Sequence, residues 1–231
     1  MKKIKILILL FVVLVSFKLA AQTYRIDTTK ITYEDKLRPC LYVRYDADPK
    51  TVKKAWSNFL KKNYKVKTKG IGLLTDKDIV SSEDVTINSI ADKRMNMYAR
   101  VTDISGGSEM KYFMSFGYDF FIGPDNYPKE FEGMKKLLND FSVKFLNEYY
   151  GDETSNILKQ IKRYERDIKK SNKTIKKNVR KSRKASSAET TGLEARNNTH
   201  DNEITRTEEK IKELQQKLES IKIKQSGITR N

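Results

Sequence analysis

The sequence predicts an α+β domain followed by a basic helical tail. Three observations carry that expectation. Short stretches between residues 40 and 122 alternate polar and apolar side chains at strand period. Two apolar stripes at helical spacing flank them. Charge then changes character near residue 150. Residues 22–150 hold 22 basic and 18 acidic side chains, whereas residues 151–231 hold 21 and 12. The first span reads as an ordinary domain, and the excess of the +17 chain sits mainly in the second.

The N-terminus reads as an address. Lys2, Lys3 and Lys5 precede an apolar run from Ile6 to Phe17, and small residues follow at Ala20-Ala21. This pattern predicts a cleavable signal peptide over residues 1–21, with Ala21/Gln22 as the cut. The run holds 12 residues, and a spanning helix needs about 20, so no transmembrane segment is expected after cleavage. The expected location is periplasmic or secreted. Export lowers the prior for nucleic acid, ATP or NAD as partners.

Each element of the domain (residues 22–150) has its own signal. Leu41, Val43 and Tyr45 alternate with Cys40, Tyr42 and Arg44, giving a strand with Cys40 half-buried. Asp48-Pro49 opens a helix, with Asp as N-cap and Pro in the first turn. Val52, Ala55, Trp56, Phe59 and Leu60 form its apolar face, and Trp56 reads as core. Extended segments are expected at Tyr64–Leu74, Val85–Ile90, Met95–Ile104 and Met110–Ile122, with Ser105-Gly106-Gly107-Ser108 as a hairpin turn. A last helix opens at Pro128, its stripe running through Phe131, Met134, Leu138, Phe141, Phe145 and Tyr149.

The expected order is β-α-β-β-β-β-α: an antiparallel sheet with two helices on one face. That order resembles the TATA-binding-protein-like topology, a likeness that carries no function.

The tail (residues 151–231) reads as a helical hairpin or coiled coil. Gly151-Asp152 is expected to break the preceding helix, with Thr154 or Ser155 capping a new one. Ile157, Ile161, Tyr164, Ile168 and Ile175 follow heptad spacing, with Ser171 and Asn178 as polar defects. Ser182–Asn202 reads as a polar turn. The seam resumes at Ile204, Ile211, Leu214, Leu218 and Ile221. A single long helix that oligomerises in parallel is the alternative, and the seam leaves room for a homo-oligomer.

Lys159–Lys184 holds 13 basic residues against Glu165 and Asp167. Glu203–Lys224 is nearly balanced, five acids against six bases, so its glutamates are expected to pair with the first helix. Lys162, Arg163, Arg166, Lys169, Lys170, Lys173, Lys176, Lys177, Arg180 and Lys181 are the candidate residues for docking on an anionic envelope surface or a protein partner.

Catalytic chemistry finds little support. His200 is the only histidine and falls in the polar turn, which excludes a His-dependent triad and a multi-His zinc site. Cys40 is the only cysteine, so no internal disulfide forms. Phosphate-loop and dinucleotide fingerprints are absent, and Gly70-Ile71-Gly72 reads as a strand irregularity. Asp76, Asp78, Glu83 and Asp84 are the only carboxylate cluster worth naming for a metal or a glycosidase-like pair. Lys61, Lys62, Lys65, Lys67 and Lys69 around Tyr64 read as an edge guard rather than a nucleic-acid surface. No catalytic, cofactor or metal site is expected.

Asp48–Trp56, Met97–Val101, Phe116–Phe121 and the Phe131–Tyr149 helix resemble an uncharacterised family of exported proteins of Bacteroidetes-type bacteria. That family pairs an α+β domain with a charged coiled-coil tail. The resemblance implies no activity. The reading is therefore a non-enzymatic binding or scaffolding protein of the envelope. A holdase-like periplasmic chaperone and a carboxylate-dependent enzyme or metal-binding domain are the alternatives.

Overall fold

The computed structural model describes residues 23–70 and 78–228. The signal-peptide segment, Asp76 and most of the Gly70-Ile71-Gly72 fragment lie outside the described residues. The elements are β1 (Asp27–Tyr33), β2 (Lys36–Tyr45), α1 (Pro49–Tyr64), β3 (Ile79–Ile87), β4 (Ala91–Ile104), β5 (Gly107–Ser115), α2 (Pro128–Ser182) and α3 (Ser187–Ser226). The fold is α+β, a five-stranded antiparallel sheet in the order β1-β2-β5-β4-β3, followed by a long helical hairpin.

The order of elements corrects the expected one. A strand precedes the first predicted strand, and the segment after α1 is not one. β1 pairs with β2 through a two-residue turn at Glu34 (φ 50°) and Asp35 (φ 56°). Both turn residues are left-handed, the requirement of a tight hairpin, but Glu-Asp is not the usual Asn-Gly signature. Of the expected Tyr64–Leu74 strand, Tyr64 belongs to α1, Lys69 makes one bridge to Ser81, and the end lies outside the described residues. The expected Val85–Ile90 strand is instead Ile79–Ile87. The Met110–Ile122 segment is a strand only to Ser115; Phe116–Phe120 turns, and Phe121 bridges back to Ser115.

α1 starts as its sequence requires. Asp48 accepts from the Thr51 backbone N–H at 3.0 Å, and Pro49 sits in the first turn. It ends on Lys65 in the left-handed region (φ 60°), with the Val66 N–H donating to the Leu60 carbonyl. The β4–β5 turn falls at Ser105-Gly106 as predicted. Gly107 follows it because a Cβ there would stand 2.0 Å from the Tyr45 carbonyl oxygen.

The main core lies on one sheet face. Leu41, Val43, Tyr45, Met97, Ala99, Met110, Tyr112 and Met114 are buried there. α1 lays Trp56 edge-on against Tyr112 at 5.2 Å. The opening turns of α2 bring Phe141 to 4.9 Å from Trp56, and Tyr45 stands edge-on to Phe145. The Tyr45 hydroxyl bonds to Ser142 at 2.6 Å while Ser142 donates to the Leu138 carbonyl, so Tyr45 is the donor. Burial pushes the Tyr45 phenol well above its ordinary value.

A second, smaller cluster lies on the opposite face. Ile31, Cys40, Phe113 and Phe121 are buried together, with Tyr33 and Tyr98 half-buried beside them. Cys40 is therefore fully buried, not half-buried as alternation suggested, and desolvation pushes its thiol up to about 12.

By internal contacts the chain divides into two compact units. One ends at Asn147 and takes in Gly227, whose carbonyl accepts from the Thr23 N–H; the other is Glu148–Ser226. In the second unit α2 runs without a break through Gly151-Asp152, and no new cap forms at Thr154 or Ser155. An interior glycine costs only about 1 kcal/mol. Tyr150 and Ile157, both buried on either side of it, outweigh that. The predicted polar turn Ser182–Asn202 shrinks to residues 183–186. A capping box explains the difference: Ser186 and Glu189 bond reciprocally, Glu189 accepting from the Ser186 N–H at 3.1 Å. α3 thus begins at Ser187, and His200 lies in a helix rather than in a turn.

Candidate functional site

The candidate docking residues sit on α2, and the burial pattern shows how. Ile161 is buried, and Tyr164, Ile168, Ser171, Ile175 and Asn178 are partly buried at alternating spacings of three and four. This is a heptad seam, with Ile161, Ile168 and Ile175 at position a. The partner seam on α3 runs through Leu193, Asn197, His200, Ile204, Thr207, Ile211, Leu214 and Leu218, all partly buried, to buried Ile221. It therefore continues through the polar stretch. Asn178 donates to Asn197 across the hairpin at 2.9 Å, and Lys210 lies over the Tyr164 ring at 5.9 Å.

The seam fixes where the charges fall. Positions b, c and f are the outward ones. From Lys159 to Arg180 every one of them is Lys or Arg: Lys162, Lys169 and Lys176 at b, Arg163, Lys170 and Lys177 at c, Lys159, Arg166, Lys173 and Arg180 at f. All are exposed, as is Lys181. At the rise of an α-helix this stripe is about 30 Å long. Arg183 and Lys184 extend it into the turn. The two acids of the segment, Glu165 and Asp167, fall at the flanking e and g positions.

The stripe is largely uncompensated. Among the described residues its one ion pair is Lys170 to Asp167, at 3.7 Å. The expected neutralisation by the glutamates of α3 is not what forms. The ion pair between the helices has the reverse polarity, Lys217 of α3 to Glu153 of α2 at 3.1 Å. Such exposed pairs contribute about 0–1 kcal/mol.

A second candidate site was not legible in the sequence. A groove of about 500 Å³ lies on the open side of the sheet, lined by Glu34, Asn96, Tyr98, Ser115 and the Tyr118–Phe121 loop. The loop is held by its own backbone: the Phe116 N–H donates to the Phe120 carbonyl at 3.0 Å, and the Phe121 N–H to the Asp119 carbonyl. Tyr118 is left-handed (φ 48°), a conformation that costs an L-residue about 1 kcal/mol. The Asp119 carboxylate pairs with Lys36 and, at 2.6 Å, with Arg38. The Lys36 and Arg38 hydrogen bonds hold it below the ordinary carboxylate value. Arg38 is itself buried and stacks on Phe121 at 4.3 Å.

The remaining candidates are not brought together. Glu83 pairs with Lys69 and Asp84 with Arg94, each at 3.0 Å, as separate surface ion pairs. No His/Cys/Asp/Glu group with metal-ligand geometry occurs among the described residues. Tyr64 packs edge-on against Phe59; of its exposed lysine neighbours, Lys67 and Lys69 run beside edge strand β3. No helix among the described residues is long and apolar enough to cross a membrane. No family model matches the chain, and no curated protein or solved structure matches it either.

Proposed function

We propose that the protein is an exported, non-enzymatic binding protein whose helical hairpin docks on an anionic envelope surface. The carrying observation is the uninterrupted b, c and f stripe of Lys and Arg, exposed and almost without acidic partners. A helix needs no such stripe for its own stability: like charges at i,i+4 oppose helix formation. Arg166, Lys173 and Arg180 share the f line, and the b and c residues on either side widen that line into a band. A band of cations about 30 Å long suits phosphate groups spread over a surface better than a single small anion. The leader pattern at residues 1–21 supports an envelope setting.

The stripe carries no large apolar side chain, so the hairpin binds at headgroup level and does not insert. Each basic residue near an anionic membrane contributes about 1 kcal/mol, and the attraction decays within a Debye length. Co-sedimentation of the mature chain, residues 22–231, with phosphatidylglycerol/phosphatidylcholine vesicles tests this. Binding is expected to rise with the phosphatidylglycerol fraction and to collapse with added salt. Partition onto pure phosphatidylcholine at the same level, indifferent to salt, would sink the reading.

A further inference from the structure

The open sheet face carries a second binding site, and we infer that its ligand is an uncharged saccharide. The inference concerns the groove beside Tyr118 and does not rest on the polyanion reading.

Two large aromatic side chains stand out where the fold has no use for them. Tyr118 is 95% exposed and Phe120 is 58% exposed, on either side of Asp119. Both are carried by a turn whose backbone bonds and Asp119 anchor fix it in place. Rings presented on a rigid loop bind with little loss of conformational freedom. Below them Phe121 and half-buried Tyr98 continue the aromatic surface into the small core. Planar apolar faces of this kind suit the C–H faces of a pyranose ring, as they suit any flat apolar group.

The polar groups then decide the ligand class. Asn96 and Tyr98 line the groove. The Asn96 Oδ1 already accepts from the Asp84 N–H, which leaves its NH2 to donate. The Tyr98 hydroxyl is shared with Tyr33, while the Ser115 hydroxyl is buried and accepts from the Gly117 N–H. The Asn96 NH2 donates and the exposed Glu34 carboxylate accepts, a pairing that matches the hydroxyls of a sugar. The charge of Asp119 is already taken by Lys36 and Arg38, so it offers no free anion to select a cation. The groove's other carboxylate, Glu34, is exposed on the β1–β2 turn and lines the groove. A volume of about 500 Å³ falls within the usual range for small-molecule sites.

Saturation-transfer NMR on the full chain tests the site. The probes are maltohexaose, xylohexaose, laminarihexaose and N-acetylchitohexaose at millimolar concentration, with tetramethylammonium as the cationic competitor class. At least one oligosaccharide is expected to give a saturable signal. Tyr118→Ala with Phe120→Ala should weaken it about tenfold, and Tyr118→Phe should retain it. Because both rings are exposed, the melting temperature of the double variant should be unchanged, which separates loss of contact from loss of fold. Absence of saturable binding to all four sugars would overturn the inference. So would saturable binding of tetramethylammonium alone, which would make the groove a cage for cations. Neutralising the basic stripe of α2 should leave the sugar signal untouched.

Discussion

The α+β unit hides what holds it together, whereas the helical hairpin displays most of what it has. In the first, Leu41, Trp56, Tyr112, Phe113 and Met134 are almost wholly removed from solvent. In the second, Tyr150, Ile157, Ile161 and Ile221 are buried, and the rest of the seam is partly exposed and often polar. Burial of apolar surface stabilises at about 25 cal/mol per Å². The hairpin therefore gains little per residue from its own packing. What it does carry in quantity is positive charge on its outer face. The first unit is held by a buried core, while the second leaves most of its seam partly open and its charge exposed.

Substitutions in each unit test that contrast. The largest expected effect is in the core. Trp56→Ala removes contacts with Tyr112, Phe141 and Phe59 and should cost about 3–5 kcal/mol, read by urea unfolding. A cost under about 1 kcal/mol would mean that the core is not where stability resides.

Next comes the stripe. Gln at Arg166, Lys173 and Arg180 should lower anionic-vesicle affinity by about a hundredfold, at about 1 kcal/mol per site. Helicity and melting temperature should hold or rise slightly, because like charges are removed. A fall in melting temperature with unchanged binding would assign the stripe to structure instead.

The seam should respond more modestly. Leu at both Asn178 and Asn197 replaces their hydrogen bond with apolar contact and should stabilise the hairpin by about 1 kcal/mol. It should also loosen the register, so light scattering should find a larger average mass than for the parent chain. Ser186→Ala, which removes one side of the capping box, should cost about 1 kcal/mol of helicity at the turn.

The smallest effect concerns pH. The folded Asp119 carboxyl lies below its ordinary value, so its ion pairs with Lys36 and Arg38 contribute fully above that ordinary value. The contribution is lost as pH falls through the lowered value. Tyr118 and Phe120 resonances should broaden only in that acid range, and Asp119→Asn should abolish the pH dependence.

The sequence announced much of this. The α1 cap, the Ser105-Gly106 turn, the apolar stripe opening α2 and the antiparallel sheet were all legible, because each rests on local chemistry. β1 was missed because its turn uses Glu34-Asp35, residues with no hairpin signature. The Gly151 break failed because tertiary packing outweighs the small cost of a helical glycine. The capping box at Ser186 and Glu189 was present in the sequence, and reading it would have shortened the predicted turn to its true length. The charge excess was visible, but its geometry needed the seam: only once Ile161, Ile168 and Ile175 are set at one position do the cations fall on b, c and f. The groove at Tyr118 had no sequence signal, since it joins residues from two hairpins and a turn.

The proposed binding depends on where the charges lie, not on net charge, and one comparison tests that. Vesicle partition would be measured across a salt series for the mature chain, residues 22–231, and two variants of equal net charge. One variant carries Gln at Arg166, Lys173 and Arg180; the other carries Gln at the exposed Lys54, Lys61 and Lys62 of α1. The stripe variant is predicted to lose affinity and to show a shallower salt dependence, and the α1 variant to behave as the parent. Equal losses in both would show that bulk charge alone drives binding and would contradict the proposed role of the hairpin.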